Sequence, residues 1–411
     1  MTEEPSKTLV LLYHFFHPDD VISARLYADL GAWASKNRWR VVAMPTIRSC
    51  HDEKASFPSR EVHDGVEIRR VWRPAMSQTG TIGRLVNTMF VLLAWTWRAI
   101  VTSRSESECV VIGTDPPLGV LAAIPWRLFR RRTKIIHWCH DLYPDAAVAE
   151  GMIEEGSLIV RLINWFTRWA YLKCDYVVDL GSCMRSRLQN TIKAHGSTCV
   201  AKPATITPWA LVEPKSLPES NDDTKTDLFG CSSALGFLYS GNLGRAHSFA
   251  EFVGLAKLLE SENSVFCFAG RGPKIDEVKT LCSKTKNLRV AGFASELELL
   301  NRLSAADVHL VSLQPSWTGC VVPSKFFGAL SVGRPVLFSG SDESAIAKWI
   351  REYSVGWVLS EVTDYHLIAN ELSELARNRP KLLELHQHCF EIYRKHFSKQ
   401  QQLETWSTIL N

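Results

Sequence analysis

The sequence predicts an α/β protein made of two doubly wound parallel sheets facing each other across a cleft, with C-terminal helices packing back on the first. Three observations predict it. Short apolar runs alternate with amphipathic stretches along nearly the whole chain, the pattern of parallel strands covered by helices on both faces. A Pro-, Ser-, Asp- and Lys-rich interval at 200–235 breaks the rhythm into two series. At 411 residues the chain also exceeds what one ordinary core holds. These features place a first domain at 1–205, a linker at 206–235, a second domain at 236–385, and helices crossing back towards the first domain at 386–411.

The first series begins with the strand "TLVLLYHF" (8–15), the helix "SARLYADLGAWASKN" (23–37) and the strand "RVVAMPT" (40–46). "EVHDGVEIRRVWRP" (61–74) alternates around Asp64-Gly65 and reads as a hairpin. The buried strands "ECVVIGT" (108–114) and "KIIHWCHD" (134–141) follow, each leading into an apolar helical stretch. In the second series, "LGFLYSG", "SVFCFAG", "LRVAGF", "VHLVSL", "PVLFSG" and "VGWVLS" are strands separated by helices, and the chain finishes in helices from about 362 to 411. Such sheets bind ligands beyond their strand C-termini.

Composition narrows the class. A net charge of only +4 gives no general attraction for nucleic acid. The 11 cysteines are scattered without a C-x-x-C pair, several inside apolar runs, which reads as reduced thiols in a cytoplasmic protein. No zinc spacing appears, and no metal or other cofactor is expected. The N-terminus "MTEEPSKTLVLLYHFF" is acidic before its apolar run, unlike a signal peptide.

Three strand-to-helix turns of the second series should open on one sheet edge. "YSGNLGRAHSF" (239–249) offers Gly241 and Gly244 for close backbone approach, free N–H groups at the next helix, and Arg245 for charge. A strain-relieving turn with a surface arginine explains it equally. "FAGRGPK" (268–274) repeats the arrangement but is not the dinucleotide motif G-x-G-x-x-G. In "SLQPSWTGCVVPSKFFGAL", Ser324 could cap a helix and Lys325 would stand in its first turn, where the dipole disfavours a cation unless an anion is near. A long stem reaching water is the other account of Lys325.

In the first series His140 and Asp141 end a buried strand; the imidazole could orient a hydroxyl, assist proton transfer, or merely bond to backbone. Asp19, Asp20 and Ser23 precede the first helix and could cap it or touch a sugar-like acceptor. The stretches 83–104, 125–134 and 160–173 are rich in Trp and Arg. They read as the buried cover of the sheet, apart from the Arg127, Arg130, Arg131, Arg132 cluster, or as an interfacial docking surface.

Taken together, "HDLYPD", "YSGNLGRAHSF", "FAGRGP" and "VPSKFFGALSVGRPV" resemble, in order and spacing, the landmarks of the GT-B glycosyltransferases of retaining family 4. The likeness extends to the bacterial branch that builds surface polysaccharides. The resemblance implies two Rossmann-like domains. It implies Arg245 and Lys325 on a donor diphosphate, with Asn242, Gly244 and Ser324 beside them and Gly270, Arg271 and Phe293 at the nucleoside. It implies His140 beside the reacting sugar, and an acceptor side at Asp20, Ser23 and Asp141. It departs at Cys320 and Gly328, where many members carry paired glutamates, one of which holds the donor ribose.

The expected activity is retaining transfer of a hexosyl or N-acetylhexosaminyl group from a nucleotide sugar, with UDP as the nucleotide, to a lipid-linked or glycan acceptor. Peripheral contact with the cytoplasmic membrane face is expected, and no nucleic-acid partner. The alternatives are a nucleotide-sugar 2-epimerase of the same architecture and a non-catalytic sugar-nucleotide-binding protein.

Overall fold

The computed structural model describes residues 7–50, 52, 54–78, 80–101, 107–193 and 201–411. The acidic N-terminal residues 1–6 and the end of the apolar stretch 83–104 lie outside the described residues. The chain divides into two compact units, Met1–Thr207 with Leu403–Asn411, and Pro208–Gln402.

The first unit is built on β1 (Lys7–Leu12), β2 (Trp39–Ala43), β3 (Arg60–His63), β4 (Val66–Arg69), β5 (Ser107–Gly113), β6 (Lys134–Trp138), β7 (Tyr176–Asp179) and β8 (Lys202–Thr205). Their order is β3-β4-β2-β1-β5-β6-β7-β8, parallel except for the β3–β4 hairpin. The hairpin turns on Asp64 and Gly65, both with positive φ (48° and 77°), the pair of conformations that a two-residue Asp-Gly turn adopts. β1, β5 and β6 are almost wholly buried, as their continuous apolar runs require. The strand order reverses direction between β1 and β5.

The last residues belong to this first unit. Trp406 packs edge-on against Trp138 at 4.9 Å, and Lys134 Nζ donates to the final helix carbonyls of Ile409 and Leu410 at 3.1 and 3.3 Å.

The second unit holds β9 (Leu235–Asn242), β10 (Ser264–Arg271), β11 (Leu288–Ala291), β12 (Val308–Leu313), β13 (Val336–Gly340) and β14 (Gly356–Leu359), all parallel, in the order β11-β10-β9-β12-β13-β14. Its core is aromatic, with Phe237 and Phe266 stacked at 4.2 Å and Tyr239, Phe249 and Phe268 packed beside them. The order reverses between β9 and β12.

The interval read as a linker contains a helix, Asp222–Phe229, capped by Asn221 Oδ1 on Thr224 N and closed by Gly230 at φ 79°. Its polar sequence "DDTKTDLF" hides two anchors, Leu228 and Phe229, that bury against the sheet.

At the N-terminal edge of the second sheet, buried charge is paired. Lys225 Nζ reaches both oxygens of Asp307 at 2.7 and 2.9 Å, and the same carboxylate accepts from Gly236 N at 2.7 Å and Arg379 at 3.3 Å. The buried Arg334 guanidinium is spread over the carbonyls of Ser304, Ala306, Val332 and Pro218.

Candidate functional site

The turns after β9, β10 and β12 lie on one edge of the second sheet, because the three strands are parallel neighbours. Here β9 and β10 approach so closely that a Cβ on Gly270 would lie 1.9 Å from Gly241 O. Gly241 has φ 128°, and a Cβ there would meet Lys325 Cε at 3.0 Å, so the lysine stem runs over this turn.

Lys325 is the electrostatic oddity of the edge. Its Nζ stands 5.0 Å from the Tyr239 ring centroid and, among the described residues, has no carboxylate partner. Burial pushes its pKa down to about 8. The neighbouring His247 is pushed down to about 3, first by burial and then by the Lys325 charge. Its Nδ1 donates to Ser312 O at 2.7 Å, which fixes the orientation of the ring.

Arg245 is exposed on the loop 243–249, and its backbone is pinned to the β12 turn. Gln314 Nε2 donates to the Arg245 and His247 carbonyls at 3.0 and 3.1 Å, and Gln314 N to Ala246 O at 2.8 Å. On the other side, the Arg271 guanidinium lies 4.3 Å from the Phe293 ring centroid, a half-exposed flat platform suited to a planar base. Asn242 is exposed at the end of β9, and its carbonyl accepts from Tyr239 OH at 2.9 Å. Gly244 is open: the nearest atom to an added Cβ lies at 3.5 Å.

Two local expectations are corrected. Ser324 makes no side-chain capping bond and its own backbone is already helical (φ −65°, ψ −17°). The helix it precedes, Lys325–Ser331, is only seven residues long, and the N–H groups of Phe326, Phe327 and Gly328 already bond to Pro323 and Ser324 carbonyls. At this turn the positive charge is therefore that of the Lys325 side chain rather than of free N–H groups. After Gly244, too, the helix begins only at Ala250, so its N–H groups do not adjoin Arg245. Cys320 is fully buried and Gly328 half-buried, and neither supplies a carboxylate.

In the first unit, His140 and Asp141 follow β6, and their backbone N–H groups donate to Thr114 Oγ1 at 3.1 and 3.3 Å. The His140 ring packs against Trp138 (4.6 Å) and Tyr27 (5.9 Å). Burial, with His137 second, lowers its pKa to about 3, so it is neutral near pH 7, and its Nε2 is buried without a partner. That favours a hydrogen-bonding role over proton shuttling. Asp141 is raised to about 6 by burial and then by Asp115.

The helix Ile22–Lys36 is preceded by Val21, with no side-chain cap; Asp19 instead accepts from Cys50 N and Ser49 Oγ at 2.9 and 3.3 Å. Ser23 Oγ accepts from Tyr13 OH at 2.6 Å, and Asp20 is exposed. Sequence reasoning missed His14, whose Nδ1 meets Asp115 Oδ1 at 2.9 Å where the strand order reverses, and it missed His247 and Gln314. The signal for each was position alone, in the turn that follows a buried strand.

No known family model matches the chain. A probable glycosyltransferase, WbjE of Pseudomonas aeruginosa, is 26% identical over 271 residues, 65% of this chain and 66% of that relative's own length. Among solved structures, WaaG, a glycosyltransferase involved in lipopolysaccharide biosynthesis, matches over 98% of this chain and 99% of its own with a TM-score of 0.63 at 13% identity. A mutant of S. aureus TarM, crystallised with Fondaparinux, alpha-GlcNAc-glycerol and UDP, matches over 79% of this chain and 59% of its own with a TM-score of 0.55, also at 13% identity. The fold is GT-B. Within this GT-B chain, Arg245, Lys325, Asn242, Gly244, Gly270, Arg271, Phe293 and Ser324 share one edge of the second sheet. His140, Asp141, Asp20 and Ser23 follow strands of the first. No helix among the described residues is long and apolar enough to cross a membrane.

Proposed function

We propose that the chain is a retaining glycosyltransferase that moves a hexosyl or N-acetylhexosaminyl group from a UDP-sugar to a hydroxyl of a lipid-linked or glycan acceptor. The observation that carries this reading is Lys325, a half-buried ammonium with no carboxylate partner among the described residues, lying over Gly241 where the strand order of the second sheet reverses. A diphosphate supplies the missing negative charge. The likeness to WbjE supports transfer, and the UDP in the TarM crystal supports the nucleotide.

In this reading Lys325 and Arg245 hold the diphosphate, and the Arg271–Phe293 platform takes the base. The bond between the anomeric carbon and the β-phosphate oxygen breaks while the acceptor oxygen bonds to the same face of the sugar. The acceptor proton passes to the departing phosphate oxygen. The two cations meet the charge that grows on that oxygen, and no metal is invoked. Neutral His140 orients a sugar or acceptor hydroxyl.

The test is a transfer assay that pairs a panel of UDP-sugars with lipid-linked acceptors and reads the product's anomeric configuration. The expected result is a glycosylated acceptor with the donor's configuration retained. Epimerised UDP-sugar released without acceptor, or tight UDP binding with no turnover on any pair, overturns the proposal.

A further inference from the structure

Three helices of the first unit, Thr81–Val101, Ala123–Phe129 and Leu158–Tyr171, lie side by side, the middle one touching both others. The long helix carries apolar side chains on both faces. Asn87, Val91, Trp95 and Arg98 face inward, with Asn87 Nδ2 donating to Met76 O and Trp95 Nε1 to Met44 O, both at 2.9 Å. Outward, at steps of three and four residues, stand Ile82, Leu85, Met89, Leu93, Trp97 and Ile100, with Ile82 74% and Trp97 65% exposed. The third helix does the same with Leu158, Leu162, Trp165 and Trp169, and Leu128 and Phe129 stand exposed at the end of the helix between them. Single exposed apolar residues need no explanation, whereas a contiguous face spread over three neighbouring helices does.

Charge says what covers it. None of the three helices contains Asp or Glu. Of the arginines singled out in the sequence, Arg127 is held by Asp175 and Arg130 by Glu108, both at 2.6 Å, so these two are structural. Arg131 and Arg132, just beyond the second helix, and Arg161, on the third, remain exposed. Of the acids that flank the third helix in the chain, Glu154 and Glu155 are exposed in the loop before it and Asp175, after it, is taken by Arg127. Aliphatic and Trp side chains bordered by arginine, on helices that do not span, match the chemistry of a bilayer surface with anionic headgroups.

We propose that this three-helix face docks on the surface of an anionic lipid bilayer, its helices lying in the interfacial plane. The inference rests on the exposed face alone and stands or falls separately from the transfer reaction. The test is flotation of the full chain with phosphatidylcholine vesicles containing phosphatidylglycerol, with pure phosphatidylcholine vesicles, and without lipid.

The chain is expected to float with the anionic vesicles at low salt and to be largely released by high salt and by neutral vesicles. Leu93→Ser with Trp97→Ser, and separately Trp165→Ser, should cut binding at least about tenfold with an unchanged melting temperature, because these side chains are already exposed. Arg131→Gln and Arg132→Gln should each cost about fivefold in partition. A chain that stays with the lipid-free fraction at low salt overturns the proposal. So does a dimer in light scattering that Leu93→Ser with Trp97→Ser converts to a monomer, since a second copy would then cover the face.

Discussion

At the N-terminal edge of the second sheet a buried lysine meets a carboxylate, and at the C-terminal edge a half-buried lysine meets none. Lys225 is locked to Asp307, which also takes a backbone N–H and Arg379, whereas Lys325 has an aromatic face, neutral His247 and a glycine turn beside it and, among the described residues, no carboxylate. Both sites belong to one parallel sheet, so architecture does not explain the difference. A buried charge with its partner built in is a structural element, and one whose partner is absent is poised for a ligand.

The largest effect expected from this contrast is on folding. Asp307→Asn leaves Lys225 buried without its counter-charge and should cost about 3–5 kcal/mol in denaturant unfolding. Lys325→Ala should do the opposite: turnover falls about 10²–10³-fold while the melting temperature holds or rises, because a disfavoured charge is removed. If the two variants destabilise alike, the distinction between the edges is broken.

A smaller effect sharpens it. Lys325 has a pKa of about 8 in the empty site, and a bound diphosphate favours its charged form. Binding therefore takes up a proton above that pH. As Lys325 titrates, UDP affinity should begin to weaken near pH 8, by up to about tenfold per unit, and level off beyond the raised pKa of the bound state, a slope that calorimetry can follow. Lys325→Arg should flatten that slope, since guanidinium stays charged. The mildest change expected is from Arg271→Ala, which removes half of the base platform. It should weaken UDP binding about fivefold and leave inorganic pyrophosphate binding unchanged.

Much of this was legible in the sequence because parallel strands write themselves as apolar runs. The turns after them, with Arg245, Arg271 and Lys325, could be placed on one edge by counting strands. The helix Asp222–Phe229 was not legible because only two of its residues are apolar anchors and its third, Lys225, is buried through an ion pair with the distant Asp307. Nor was the division of the arginine cluster, since Arg130 finds Glu108 22 residues away and Arg127 finds Asp175 48 residues away. The pairing of His14 with Asp115 is likewise a product of strand order, joining residues 101 apart. The helix Thr81–Val101 left two readings open for a physical reason: hydropathy counts apolar residues but does not say how many of them face inward.

The most direct test is an NMR titration of the Lys325 side chain, assigned by comparison with Lys325→Arg, in the free protein and with saturating UDP. The account predicts a pKa of about 8 in the empty site, raised by a unit or more by UDP and unmoved by uridine, which lacks the phosphates. A pKa that UDP leaves unchanged would contradict the assignment of Lys325 to the diphosphate.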